Sequence, residues 1–247
     1  MRLDFQKSSL FIFLLSAFFT FSTFAKEPSH SAAAGAKTDS SHSTSHKEEK
    51  KSVEPDVALG FLRNGNARFI KGFLRKDGAS ATDRSRLDKG QNPHAIVLSC
   101  SDSRVPPELV FDQKLGEIFT VRTAGESLDA NAIGSIEYAI EHLGSRLIVV
   151  MGHTRCGAVK AALSTLEGGD AGSPSLNSLV ADLHPRLQSF KKKTPSEDLS
   201  TEVWANTKGV AKDLSSKSEI IANAIKSGKV KVVSALYHLG SGTVDWE

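Results

Sequence analysis

The chain has 247 residues, 39% of them hydrophobic and 24% charged, with a formal net charge of +3. That is the length and balance of an ordinary globular protein with one substantial core, and it excludes a fibrous or wholly disordered chain. With so small a net charge and no basic stripe interleaved with aromatics, nucleic acid is not an expected partner.

Arg2 and Lys7 precede an apolar run from Leu10 to Phe24 that ends at Ala25. A basic start, a short apolar run and a small residue predict a signal peptide over residues 1–25. The run falls short of the ~20 apolar residues a spanning helix needs, so no stable membrane insertion is expected after cleavage. The product is then periplasmic or secreted, an uncleaved anchor being the other reading. Residues 26–52 are rich in Ser, Ala, Lys, His and Glu with almost no large apolar side chain, which predicts a disordered tether. His30, His42 and His46 lie in it without other ligands or fixed geometry, so a solvated linker is expected there rather than a metal site.

A folded domain is expected over residues 53–247. Pro55 suits a first helical turn, and Val57, Leu59, Phe61 and Leu62 give that helix an apolar face. Residues 76–92 are polar and read as an exposed connection. Ala95 to Ser99 is a short apolar run that predicts a buried strand, followed by a turn through Pro106 and Pro107 and a second strand at Ile118 to Val121. Apolar residues at helical spacing from Asn131 to Leu143 predict a helix stopped by Gly144. Leu147 to Met151 is the third strand, with a helix over Gly157 to Leu166. Two or three helices through Leu176 to Phe190 and Glu202 to Ile225, a last central strand at Lys229 to Leu236 and an edge strand at Thr243 to Trp246 complete the pattern. Strands alternating with helices predict an α/β fold with a mostly parallel central sheet flanked by helices.

Two segments carry the chemistry. Cys100-Ser101-Asp102-Ser103-Arg104 follows the first strand, and Gly152-His153-Thr154-Arg155-Cys156-Gly157 follows the third. Burying a thiol, a carboxylate and a guanidinium costs free energy unless they are paired or bind something. In parallel sheets, ligands bind beyond the carboxyl ends of the strands, where both segments fall. Cys100, His153 and Cys156 offer two thiolates and one imidazole, a three-ligand zinc set with a fourth position left over. The alternative is a Cys100–Cys156 disulfide in a non-catalytic binding protein, since these are the only two cysteines of an exported chain. A bridge explains neither His153 nor Asp102 and Arg104.

Cys-x-Asp-x-Arg followed some fifty residues later by His-x-x-Cys resembles the β-class carbonic anhydrases, from about Val53 to Trp246. The resemblance implies that fold joined as a homodimer or a dimer of dimers, one Zn²⁺ per chain on Cys100, His153 and Cys156, and reversible hydration of CO₂ to bicarbonate by zinc-bound hydroxide. It implies that residues 62–69 lie in a helix that packs across a partner subunit. Two thiolates leave zinc a weaker Lewis acid, so Asp102, held by Arg104, is expected to orient the hydroxide. In a closed form the matching aspartate binds zinc itself. Members gated by bicarbonate typically carry tryptophan three residues before the first ligand cysteine; Val97 stands there, so an open site is expected. Gln91, Phe119, Ala124, Tyr138 and Gly157 match positions around substrate, with core packing an equal reading for Phe119 and Tyr138. His142 matches a position proposed to assist proton transfer, or is a polar-face histidine. Glu126 departs from the usual Asn, which bears on pocket charge or dimer contacts. Relatives of the fold hydrolyse carbonyl sulfide or carbon disulfide, a substrate class that the residues leave open.

Overall fold

The structure is a computed structural model that describes residues 52–247. The expected signal peptide, the expected tether as far as Lys51 and its three histidines lie outside the described residues. A five-stranded sheet forms the centre, in the order β2-β1-β3-β4-β5. Its strands are β1 (Ala95–Ser99), β2 (Ile118–Arg122), β3 (Leu147–His153), β4 (Lys231–Tyr237) and β5 (Val244–Trp246). The first four pair in parallel, with Val97 opposite both Thr120 and Val149 and His153 opposite Tyr237; β5 is antiparallel to β4.

Every residue of β1 and β3 is buried, as expected of strands covered on both faces. Strand alternation sorts them into two cores. Ala95, Val97, Leu147, Val149 and Met151 pack with α1 (Pro55–Ile70), α5 (Gly157–Ser164) and α6 (Pro174–Leu187). Ile96, Leu98, Ile148 and Val150 pack with α4 (Ala130–Glu141), the later turns of α7 (Ser200–Lys217) and α8 (Glu219–Lys226). Burying each such Ile, Leu or Val contributes about 1.5–3 kcal/mol. α4 starts where the Asp129 side chain accepts the Ala132 N–H at 2.8 Å, and it buries Ala132, Ile136, Ala139 and Ile140.

Several elements differ from expectation. The connection at residues 76–92 contains α2 (Ala81–Leu87), nucleated by a Ser80–Asp83 capping box although no residue of it is buried. A four-residue helix, α3 (Pro107–Val110), occupies the Pro-Pro turn. Of the two or three helices expected through Ile225, three form, because the second segment divides at Ser218, whose side chain accepts the Ile221 N–H and starts α8. In α1, Val57 and Phe61 are exposed; the buried stripe is Ala58, Leu59, Leu62, Gly65 and Asn66. A side chain at Gly65 would place its Cβ 1.6 Å from the Phe111 carbonyl, so only glycine permits this approach.

Candidate metal centre

The chain leaves β1 for β2 on one side and returns to β3 on the other, so a crevice opens beyond the carboxyl ends of β1 and β3. Cys100 follows β1 directly, His153 is the last residue of β3, and Cys156 is the residue from which α5 starts. β3 runs two residues further than expected, which fixes His153 in the β4 register. Ligand atoms of the three residues lie within 4.8 Å of one another, and all three are buried.

His153 Nδ1 lies 2.9 Å from the Thr154 carbonyl. A carbonyl only accepts, so Nδ1 carries the hydrogen and Nε2 keeps its lone pair. That Nε2 is buried without a hydrogen-bond partner, and Asp102 Oδ2 stands 3.8 Å away. Thr154 is anchored in turn by its N–H to the Tyr237 carbonyl and by its hydroxyl, which accepts from Leu239 N–H. Both cysteines are free thiols rather than a disulfide. Cys156, donating to Cys100, holds the Cys100 thiol well below its usual range, helped by the Gly125 N–H at 3.4 Å, while burial opposes. The same bond and burial push Cys156 up. One proton is thus shared by the pair, and a divalent cation replaces it with two thiolate bonds. A buried, partnerless imidazole lone pair facing two such thiols fits zinc by donor chemistry.

Asp102 accepts from Arg104 Nε and backbone N–H on Oδ1, both at 2.9 Å, and from Nη2 on Oδ2 at 2.7 Å. This forked pairing holds the Asp102 carboxyl well below the usual carboxylate range. The loop is fixed by Arg122 at the end of β2, which donates to the carbonyls of Cys100 at 2.9 Å and Asp102 at 2.6 Å.

The family model described as carbonic anhydrase matches residues 95–244. A carbonic anhydrase of Mycolicibacterium smegmatis is 39% identical over 77% of this chain and 92% of its own length. Carbonic anhydrase 2 of Mycobacterium tuberculosis is 36% identical over 77% and 91%. Among solved structures, a Coccomyxa β-carbonic anhydrase in complex with acetazolamide superposes with a TM-score of 0.60 at 26% identity, covering 76% of this chain and 85% of that one. The chain belongs to the β-class carbonic anhydrases.

Within this β-carbonic anhydrase fold, Gly157 opens α5 beside Cys156, and Ala124 precedes the Gly125 that bonds Cys100. Phe119 and Tyr138 stack at 6.4 Å, with Tyr138 4.9 Å from His142, and Phe119 packs with the α4 core whereas Cys100 belongs to the other core. Gln91 precedes β1, a strand of about 16 Å that separates it from Cys100. A single chain therefore does not gather these three residues at the thiols.

Glu126, where the family usually has Asn, is fully buried inside the chain and faces neither solvent nor a subunit surface. Its Oε2 accepts from Asn206 Nδ2 at 3.3 Å, the same amide donating to the Gly125 carbonyl at 2.9 Å, while Oε1 has no partner. Burial first, then the charge of Cys100, push its carboxyl well above the usual range, which favours the neutral acid behind the site. Gly152 makes room here: a Cβ on it would lie 2.4 Å from Thr207 Oγ1 and 2.5 Å from Val203 Cγ1. The motifs did not announce Arg122, Thr154 or Asn206. Arg122, at a strand end immediately before Thr123-Ala124-Gly125-Glu126, is the one a sequence could have flagged.

Proposed function

We propose that the protein catalyses the reversible hydration of CO₂ to bicarbonate and a proton, with one zinc held by Cys100, His153 and Cys156. The observation that carries this is the bare, buried His153 Nε2 within 4.8 Å of two free thiols at the switch point of the sheet. Zinc, when bound, lowers the pKa of water from 15.7 toward ~7 and so makes hydroxide available at neutral pH. Asp102, kept ionised by Arg104, accepts the nucleophile's proton in a hydrogen bond and aims its lone pair at CO₂. Both Asp102 oxygens are engaged by Arg104, which favours an open site in which Asp102 orients rather than ligates.

Gln91, Phe119 and Tyr138 serve substrate only across an interface, so the working unit is a homodimer or a dimer of dimers. Apolar exposure along α1 and just after it supports this, with Phe61 45%, Ile70 46% and Phe73 73% exposed. A single-chain mass in solution with full activity would overturn the interface. The product acts outside the cytoplasm if residues 1–25 are removed on export, which the mass of the exported protein tests.

Stopped-flow CO₂ hydration from pH 6 to 9, with and without added bicarbonate, is the test, run beside carbonyl sulfide hydrolysis. The expected result is a smooth rise with pH, bicarbonate acting only as product, and slower turnover of carbonyl sulfide. Hydrolysis of carbonyl sulfide with no CO₂ hydration would replace the substrate, and cooperative inhibition by bicarbonate would replace the open site.

A further inference from the structure

On the outer side of α5, next to the loop that carries His153 and Cys156, lies a cleft of about 580 Å³. It is within the ~300–1,000 Å³ of small-molecule sites. Arg155, Lys160, Lys191, Lys192 and Lys193 converge on it. None of the five side chains makes a salt bridge or hydrogen bond among the described residues. Glu167 and Glu197 are the acidic residues at the rim, so five cations against two carboxylates leave a surplus of three positive charges. Such a concentration of one sign over a low-dielectric wall focuses its field into the cleft.

The wall is apolar. Leu163, Leu166 and Phe190 form it, with Leu199 at its edge. Three rim residues that are not glycine, Arg155, Lys192 and Leu199, have φ near +60°, at 59°, 61° and 60°. Backbone held in that region costs of order 1–3 kcal/mol and clusters at ligand clamps and switch regions. The Arg155 N–H donates to the Asp198 carbonyl at 2.6 Å, which ties the cleft's rim to the metal loop.

We propose that this cleft binds a small soluble phosphomonoester with an apolar body. Lysine ammonium groups suit phosphate as point charges, and a phosphomonoester carries about −1.5 to −2 at neutral pH, which the surplus positive charge can balance. The apolar wall then takes the organic part, which inorganic phosphate lacks. The inference is independent of CO₂ hydration, since it uses none of the metal-site residues.

The test is titration calorimetry of the protein as purified, at low salt, with phenyl phosphate and with inorganic phosphate. Phenyl phosphate should bind saturably at one per chain, with a Kd about tenfold or more below that of inorganic phosphate. The variant Lys191→Ala/Lys192→Ala/Lys193→Ala should weaken phenyl phosphate about tenfold while leaving the circular dichroism and CO₂ turnover unchanged. Lys160→Gln, on a separate element, should weaken it in the same direction. Absence of binding up to about 10 mM, equal affinity for the two anions, or full affinity in the lysine variants would overturn the proposal. So would binding to phosphatidate-containing vesicles without binding to phenyl phosphate, which would assign the basic surface to a lipid headgroup.

Discussion

Arg104 holds Asp102 through both carboxylate oxygens yet contributes no atom to the Cys100, His153 and Cys156 cluster. Its removal therefore separates orientation from metal retention. Arg104→Ala should keep about one zinc per chain by elemental analysis while turnover falls on the order of 10–100-fold; loss of zinc in step with turnover would make Arg104 a support for the site. Glu126 offers a pH test. Its folded-state pKa is raised, so it contributes most to stability below the unfolded value near ~4.3 and loses that contribution as pH rises toward its folded value. Glu126→Gln, compared with the wild type after chelation, should raise the thermal midpoint by about 2–4 °C at pH 8 and less at pH 4. An equal shift at both pH values would show that the acid is not held neutral. These two residues also show what sequence can carry at this scale. Asp102 and Arg104 are legible because they sit two and four residues from a ligand. The environment of Glu126 is set by Asn206, eighty residues away on α7, and no local pattern encodes that meeting.

At the scale of elements, the site exists because β1 and β3 are neighbours whose carboxyl ends face one crevice, and short buried apolar runs made both strands legible. α2 was not legible by periodicity because it buries nothing; only its Ser80–Asp83 cap marks it. The division between α7 and α8 falls in the polar stretch Ser215 to Glu219, but the expectation of two or three helices did not place it, because the polar stretch alone does not say that Ser218 leaves the helix to cap α8. Arg122 escaped notice because its role depends on β2 pairing with β1, which brings its guanidinium to the carbonyls of Cys100 and Asp102. Since it fixes the loop that carries one thiolate, Arg122→Ala should weaken zinc affinity about tenfold in a chelator competition. Unchanged affinity would mean that the β1 loop holds its shape without the clamp.

At the scale of the whole molecule, two cores lock the sheet from both faces and leave the metal crevice as the one place where β1, β3 and α5 all present polar chemistry. Gln91, Phe119 and Tyr138 are distributed away from it in one chain, so the proposed pocket role of these three would need a second chain, and a single sequence does not display which side chains meet across an interface. The proposed activity rests on Cys100, His153 and Cys156 holding a zinc that CO₂ hydration requires. Zinc stoichiometry and initial hydration rate, measured on the same preparations of the wild type and of Cys156→Ser, test it directly. The account predicts about one zinc per wild-type chain, and in Cys156→Ser a loss of both zinc and rate by about tenfold or more. A folded, zinc-free Cys156→Ser protein that hydrates CO₂ at the wild-type rate would contradict it.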